Sequence, residues 1–172
     1  MKKFTLLFCI IASVLCTNIK AQDYTNGAYV LNEDWYGHNN STLNFWNPTT
    51  GTIDYLIMQM ANNYEYSLGC TAQYGQLYGD YIVITSKQDR DPGEPADVQS
   101  GRITILNKNT LKPIGDEIHP LISINENDKS DADGRGVCFV NNEKFYVGTS
   151  NGIYVFKWDA KGKVFTWNSE AI

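Results

Sequence analysis

A hairpin pattern that recurs three times is the feature of this sequence that most constrains its fold. Alternating apolar and polar residues lead into a turn built on Asn or Asp, and a second strand-like run returns from it. The three hairpins begin at Leu43, Ile103 and Ile153. A strand–turn–strand unit precedes the last two, since residues 77–86 match residues 140–150. The repeat predicts an all-β chain assembled from similar small sheets.

Four antiparallel strands in about forty to sixty residues are typical of one β-propeller blade. A single blade cannot bury both of its faces, so blades stack and bury one another. Residues 22–172, which remain after the signal peptide predicted below, suffice for about three blades, whereas closed propellers have roughly four to eight. We therefore predict an incomplete ring. Two explanations stay open, of which we prefer the first: the chain is a truncated, N-terminal part of a propeller, or copies of it assemble to close a ring.

The first residues predict a signal peptide that directs export. Lys2 and Lys3 give a positive start, residues 4–15 are mostly apolar, and Ala21 is a small residue at the best cleavage position. The apolar run is too short to cross a bilayer. We predict cleavage after Ala21, with lipid attachment at Cys16 as the alternative.

Export places the predicted propeller domain, residues 22–172, in the periplasm or at the cell surface, in association with the outer membrane. No second apolar run follows the signal peptide, residues 1–21, so no transmembrane segment is predicted in the mature chain. The formal net charge is −5, and no stripe of Lys or Arg is present. Binding to nucleic acids is therefore not expected.

Residues that usually carry catalysis are scarce. The chain has two histidines, His38 and His119. It contains no Gly-x-Ser-x-Gly elbow, no Cys–His pair in sequence and no histidine-rich metal pattern. Glu33 and Asp34 are adjacent, so in a strand they would point to opposite faces. The sequence predicts neither enzyme activity nor a cofactor.

Two of the four cysteines, Cys70 and Cys138, lie in the predicted mature chain. An oxidising compartment permits a disulfide between them. The alternative is that both are small buried apolar residues of strands. Cys138 lies in the apolar run 137–140, which is typical of a core strand.

A short aromatic and amide-rich segment after the first strand is the best candidate for a ligand site. It contains Trp35, Tyr36, His38 and Asn39. Two aromatic rings could stack on a flat ligand while the imidazole and amide groups bond to its edge. The alternative is that Trp35 packs between blades and the amides only form the turn.

A polar loop with Asp128, Asp131 and Asp133 is a weak candidate for calcium binding. It does not fit an EF-hand, because Lys129 and Val140 stand where oxygen ligands are needed. The alternative is a solvated acidic loop, and no firm metal site is predicted.

A second acidic stretch lies between two strands, over residues 88–100. Its Pro-rich and acidic composition is typical of a long loop. We predict a mobile surface loop, or equally a contact for a partner. Its acidic residues are Asp89, Asp91, Glu94 and Asp97.

The repeats carry a family resemblance. Residues 146–156, Tyr-Val-Gly-Thr-Ser-Asn-Gly-Ile-Tyr-Val-Phe, resemble the Tyr-Val-Thr-Asn type repeat of YncE-like, surface-layer-type propellers. A second stretch resembles the opening of an exported subfamily, a domain of unknown function common in outer-membrane systems of Gram-negative bacteria. It consists of residues 29–33, Gly37, residues 39–41, residues 43–48 and Gly51. The resemblance implies a seven-bladed propeller that binds a ligand or protein across one face.

Some surface members of that group are similar to corrinoid-capturing proteins that sit on an outer-membrane transporter. The resemblance therefore implies an exported, non-enzymatic protein that binds a small-molecule ligand, such as a corrinoid or another nutrient, or an outer-membrane partner. Two alternatives are a propeller-type hydrolase or lyase, with its active site gathered from the loops of several blades, and a non-functional fragment.

Overall fold

The computed structural model describes residues 24–114, 133–167 and 172. This part of the chain is almost entirely β-structure with one short helix, which confirms the predicted all-β class. The elements in chain order are β1 (Ala28–Asn32), β2 (Thr42–Asn47), β3 (Thr52–Asp54), α1 (Ile57–Ala61), β4 (Cys70–Tyr78), β5 (Tyr81–Gln88), β6 (Ile103–Asn107), β7 (Gly134–Asn141), β8 (Lys144–Thr149), β9 (Gly152–Asp159) and β10 (Val164–Trp167).

The strands form three antiparallel sheets, as the predicted three blades require. The first sheet has the order β1–β2–β3, the second β4–β5–β6, and the third β7–β8–β9–β10. The described residues do not close a ring. Of the sheets as far as the structure describes them, the third alone has the four strands predicted for every blade. Among the described residues, one bridge between Leu106 and Pro113 represents the fourth strand of the second sheet.

The first sheet differs from the others at its other edge. β2, β6 and β9 are equivalent, since each pairs with the strand that precedes it in the chain and leads into a turn built on Asn or Asp. By this equivalence β1 takes the position of β5 and β8. The described residues supply no strand in the first sheet at the position of β4 and β7.

The second sheet is covered on both faces, and two apolar interfaces hold the three sheets together. The first interface, between the first and second sheets, consists of Leu43, Phe45, Ile57, Met58, Leu68, Ala72, Ile82, Ile84, Leu106 and Leu111. The second interface, between the second and third sheets, consists of Val83, Ile103, Ile105, Val137, Phe145, Val147, Tyr154, Phe156 and Phe165.

Strand β5 shows how one sheet serves both interfaces. Successive side chains of a strand point to opposite faces. Ile82 and Ile84 therefore face the first interface, whereas Val83 faces the second. Residues 82–86 are all buried, which explains why the sequence of β5 is a continuous apolar run rather than an alternating one.

Helix α1 closes one edge of the first interface. Its first two residues, Ile57 and Met58, are buried, and Leu56 before them is in the left-handed region with a φ of 55°. The side-chain amide of Asn62 donates to the carbonyl oxygens of Met58 and Leu111, at 2.7 and 2.9 Å. These bonds tie the helix to the turn after β6. Five residues are too few for a helical period to be visible in the sequence.

The predicted Asn and Asp turns are confirmed. The side-chain oxygen of Asn47 accepts hydrogen bonds from the backbone amides of Thr49 and Thr50. Asn107 and Asp159 hold the equivalent turns after β6 and β9 through the same kind of bond. Short polar side chains that bond to the backbone two residues on are the physical reason why Asn and Asp mark these turns.

Several predictions fall on residues outside the described part of the chain. These are the signal peptide with Cys9, Cys16 and Ala21, and two of the calcium candidates, Asp128 and Asp131. Within the described residues, no helix has the length and apolar character needed to cross a membrane.

Candidate functional site

The β1–β2 loop, residues 33–41, carries all four predicted ligand-binding residues at its surface. Trp35 is 69% exposed and Tyr36 is 58% exposed. The rings of Trp35 and His38 lie with their centroids 3.9 Å apart, and the His38 amide donates to the Trp35 carbonyl oxygen at 3.1 Å. Trp35 therefore does not pack between the described sheets. Asn39 is also exposed, so the loop presents aromatic faces and polar groups together.

Asp91 holds this loop from below, although it lies 54 positions further along the chain. Its carboxylate is fully buried. Oδ2 accepts a hydrogen bond from the Gly37 amide at 2.6 Å, and Oδ1 accepts one from the Gly93 amide at 2.7 Å. The Cys70 thiol donates to Oδ2 at 3.2 Å. One carboxylate thus joins the β1–β2 loop to the β5–β6 loop, residues 89–102, and to the start of β4.

Two further residues bond the loops to one another. The side-chain oxygen of Asn40 accepts a hydrogen bond from the backbone N–H of Asp91 at 2.6 Å. The backbone N–H of Asn40 donates to Glu94 Oε2 at 3.0 Å. The backbones of the two loops are in contact at Gly93 and His38. A Cβ atom at position 93 would overlap the carbonyl group of His38. A glycine is needed there for this close approach.

The far end of the β1–β2 loop is fixed by Ser41. Its hydroxyl donates to the Glu33 carbonyl oxygen at 2.7 Å and accepts from the Ala72 amide at 2.7 Å. The Ser41 amide also donates to the Gly69 carbonyl oxygen at 3.0 Å. The loop is therefore closed on itself and attached to β4, so its exposed rings stand on a backbone bonded at both ends.

Asp91 and the three groups that donate hydrogen bonds to its carboxylate, Gly37, Gly93 and Cys70, form what we call the Asp91 hub. Its electrostatics favour the ionised form of Asp91. Burial by itself would raise the pKa of Asp91, but the hydrogen bonds from Gly93, Gly37 and Cys70 favour the charged form, so its pKa lies below the ordinary value. Burial, together with the nearby Asp91 carboxylate, raises the pKa of the Cys70 thiol to about 11. Cys70 is therefore a protonated donor at neutral pH.

The prediction of a surface loop over residues 88–100 is wrong at Asp91. Asp91 is buried, and Glu94 bonds to the neighbouring loop. The Arg90 guanidinium donates to the carbonyl oxygens of Glu94, Pro95 and Ala96 and closes the segment on itself. Asp97, by contrast, is exposed as predicted. The acidic composition of the loop does not predict which of its carboxylates is buried and accepts hydrogen bonds from backbone amides.

The structure does not contain the disulfide considered for Cys70 and Cys138, since both are free cysteines. Cys70 is buried in the second sheet and its thiol bonds to Asp91. Cys138 is exposed in the third sheet, so the alternative of two buried cysteines is correct only for Cys70. The reason is strand alternation: Val137 and Phe139 point toward the second interface, which turns Cys138 to the opposite face.

The two thiols are expected to differ in reactivity, because the thiolate is the reacting form. In the folded protein at pH 8, iodoacetamide should label Cys138, and Cys70 should be labelled only after unfolding in urea. Mass spectrometry of the alkylated peptides measures both rates in one sample. Equal labelling of the two cysteines in the folded protein would show that the thiol of Cys70 is not sequestered at Asp91.

Asp133 is the one calcium candidate that the structure describes. Its Oδ2 lies 3.0 Å from Nη2 of Arg135 in a salt bridge. Within residues 24–114, 133–167 and 172, no group of three His, Cys, Asp or Glu side chains is placed to hold a metal ion. The Asp133 carboxylate thus forms an ion pair with Arg135. The Arg135 guanidinium also donates a hydrogen bond to Gln73 of the second sheet.

The structure adds Asp91, Asn40 and Ser41 to the residues that shape the site. Sequence reasoning missed all three, because a lone Asp in an acidic loop and an Asn-Ser pair in a turn are common surface features. Asp91 bonds to Gly37 and Asn40, which lie 54 and 51 positions away, and Ser41 bonds to Ala72, which lies 31 positions away. A local pattern carries no signal for contacts of that separation.

These observations define a class of protein: an all-β chain of stacked antiparallel sheets, with an aromatic loop fixed at one end of the stack. Residues 26–166 match the model of a family described as a domain of unknown function, DUF5074. The chain belongs to this family, and the match includes all ten strands but for the last residue of β10. No curated protein matches the sequence.

Proposed function

We propose that this chain is an exported, non-enzymatic binding protein of the YncE-like propeller type, and that Trp35, Tyr36 and His38 form its ligand-binding surface. The observation that carries this proposal is the exposure of two large aromatic rings on a loop whose backbone is fixed by the buried carboxylate of Asp91. Apolar rings that serve only packing are normally covered, so two uncovered rings on an ordered loop support a contact surface.

The fixed backbone supports tight binding for an entropic reason. A flexible loop must lose conformational freedom when it binds, and that loss subtracts from affinity. Here the hydrogen bonds of Asp91 and Ser41 already order the loop in the free protein. The side chains of Trp35 and Tyr36 have few rotatable bonds, so their large apolar area is presented at low entropic cost.

The chemistry of the loop selects a ligand with a flat ring and a polar edge. Indole and phenol rings stack on flat ring systems or on the apolar face of a sugar. His38 and Asn39 offer hydrogen-bonding groups beside those rings. A corrinoid has this combination, and the family resemblance suggests nutrient capture at the outer membrane, with an outer-membrane protein as partner. We place the protein in the periplasm or on the cell surface.

The bonding of Asp91 supports binding over catalysis. A general acid or base must exchange its proton with substrate. The Asp91 carboxylate instead accepts bonds from two backbone amides and a thiol, and it is fully buried. Its role is to position the loop backbone. A hydrolase or lyase could therefore not use this carboxylate as its proton donor or acceptor.

Calorimetric titration of the protein tests the proposed ligand class. Cyanocobalamin, haem and maltoheptaose serve as the corrinoid, porphyrin and glycan probes. We expect saturable binding of one probe, and a Kd about tenfold weaker in Trp35→Ala, because losing one stacked aromatic side chain costs about 1–2 kcal/mol. Tyr55→Ala, which removes an exposed aromatic ring outside the loop, is the matched control and should bind like the wild type.

Two results would contradict the proposal. One is the absence of binding for all three probes by a folded protein. The other is binding that Trp35→Ala and Tyr36→Ala leave unchanged, since the ligand would then contact another surface. Circular dichroism of each variant confirms that the fold is retained.

A further inference from the structure

A charged side chain is buried in the second sheet. Arg102 is 2% exposed, and it is the largest of the side chains that the described fold covers completely. It lies directly before β6, where its carbonyl oxygen accepts a hydrogen bond from the Ser86 amide at 2.8 Å. A guanidinium group is not deprotonated in proteins. The fold therefore encloses a permanent positive charge.

The guanidinium of Arg102 has no counter-charge among the residues that the structure describes. Its Nη1 atom is buried and has no hydrogen-bond partner there. In the same part of the chain one salt bridge is present, and it joins Asp133 to Arg135. The buried carboxylate of Asp91 accepts its hydrogen bonds within the Asp91 hub. Because an uncompensated buried charge is strongly destabilising, a counter-charge is expected at Arg102.

Two serine hydroxyls accompany the guanidinium. Ser86 lies directly opposite Arg102, since the hydrogen bond between their backbones continues the β5–β6 register. Ile84, two positions before Ser86, belongs to the first interface, so Ser86 and Arg102 face the same side of the sheet. Ser86 is fully buried. Its hydroxyl, and the buried hydroxyl of Ser100 two positions before Arg102, have no hydrogen-bond partner among the described residues.

The β1–β2 loop covers this part of the second sheet. Ala72 lies opposite Ser86 on the other neighbouring strand, and its amide donates to the Ser41 hydroxyl at 2.7 Å. Asn40, the residue before Ser41, is 1% exposed. Its Nδ2 atom is one more buried group that lacks a hydrogen-bond partner in the described chain. The loop therefore brings a fourth polar group to the same face of the sheet.

The chemistry of these four groups selects an anion. Guanidinium and side-chain amide nitrogens only donate hydrogen bonds, and a serine hydroxyl is able to donate one. Bonds from such donors are strongest when the acceptor is charged. A water molecule could accept some of these bonds, but it would leave the charge of the guanidinium uncompensated. An anion supplies both the acceptor and the counter-charge.

We infer that Arg102 and Ser86 bind a small inorganic anion beneath the β1–β2 loop, with Ser100 and Asn40 as further donors. All four donor atoms are closed to solvent, which favours a compact ion such as chloride over a larger one such as phosphate. Because Asn40 belongs to the β1–β2 loop, the anion joins that loop to the second sheet. It is a second fastening of the loop, separate from the carboxylate of Asp91.

Thermal unfolding of the protein, purified from cells that express the full-length chain, tests the site. Sodium chloride replaces sodium gluconate at constant ionic strength, because gluconate is too large for an enclosed site. An ion that binds the folded state alone raises the Tm, here by about 3–6 °C for each tenfold increase in chloride above its Kd. No such rise is expected for phosphate.

Variants assign the effect to the buried arginine. Arg102→Met should abolish the chloride dependence, and Ser86→Ala should weaken chloride binding about 2–10-fold, since it removes one donor. Arg135→Met is the matched control, because it removes an exposed guanidinium from the neighbouring sheet, and it should retain the full dependence. A chloride effect that is equally large in the wild type and in Arg102→Met would overturn the inference.

A direct measurement on the wild type decides the question even where Arg102→Met does not fold. Crystals grown in sodium bromide should show an anomalous peak within hydrogen-bond distance of Arg102 Nη1. Peaks confined to exposed side chains would show an adventitious ion only and would overturn the inference. So would a wild type whose Tm does not respond to chloride, because the counter-charge of Arg102 would then come from the chain itself.

Discussion

Replacing Asp91 with Ala is expected to lower the free energy of unfolding by about 2–4 kcal/mol. The substitution removes the acceptor for the Gly37 and Gly93 amides and for the Cys70 thiol. Because the carboxylate is fully buried, these donors would lose their partner at a site that water does not freely reach. Urea unfolding, followed by tryptophan fluorescence, measures the loss.

Asp97→Ala is the matched control, since it removes an exposed carboxylate from the same loop. A surface change of this kind should alter stability by no more than about 0.5 kcal/mol. If Asp91→Ala were as stable as Asp97→Ala, the Asp91 hub would not hold the two loops together. The support for a fixed binding loop would then be lost as well.

The contribution of Asp91 is also expected to depend on pH. Its pKa in the folded protein is lowered, below the value of about 3.9 for an unfolded chain. The ionised carboxylate therefore stabilises the fold above about pH 4, and this stabilisation is lost as the pH falls toward the folded-state pKa. The stability difference between the wild type and Asp91→Asn should be constant from pH 7 to 5 and should shrink below pH 4. A difference that grows on acidification would contradict the assigned direction.

Replacing Phe145 with Ala is expected to lower the free energy of unfolding by about 3–5 kcal/mol, which is the usual cost of truncating a buried aromatic residue. Phe145 is fully buried in the second interface. Its ring stacks on Phe156 at 4.7 Å and meets Phe165 at 5.0 Å and Phe139 at 4.9 Å between centroids. The substitution leaves a cavity between three rings that β-strands hold in place.

Thermal and urea unfolding of Phe145→Ala can be compared with Val140→Ala, which shortens an exposed side chain on the neighbouring strand β7. The control should change stability by no more than about 0.5 kcal/mol. Phe145→Leu should recover part of the loss, since it refills most of the volume. A small effect of Phe145→Ala would mean that the second interface does not stabilise the stack.

Much of the fold could be predicted because its signals are local. The hairpins that begin at Leu43 and Ile153 form, the one that begins at Ile103 returns through a single bridge, and the Asn and Asp turns bond as expected. Alternation within a strand and side-chain bonds within a turn involve residues a few positions apart. Helix α1 was not predicted, because its one turn is fixed by packing of Ile57 and Met58 rather than by a periodic pattern.

The candidate site was only partly predictable. The aromatic segment of Trp35 and Tyr36 stood out by composition, and the structure places both rings at the surface. The buried role of Asp91 and the different surroundings of Cys70 and Cys138 were not visible. Each depends on which strand lies against which, and identical residue types are buried or exposed according to that arrangement.

The sequence by itself determined the β class, the three hairpins, their turns and the aromatic segment, because these follow from the order of neighbouring residues. Only the tertiary structure decided that Asp91 fixes the β1–β2 loop, that Cys70 and Cys138 remain apart, and that Trp46 and Ile153 are exposed in the part of the chain that the structure describes. The physical reason is distance along the chain. Amide donors and covering sheets come from segments dozens of residues away, and only the stacking of sheets brings them to the carboxylate or leaves a side chain open.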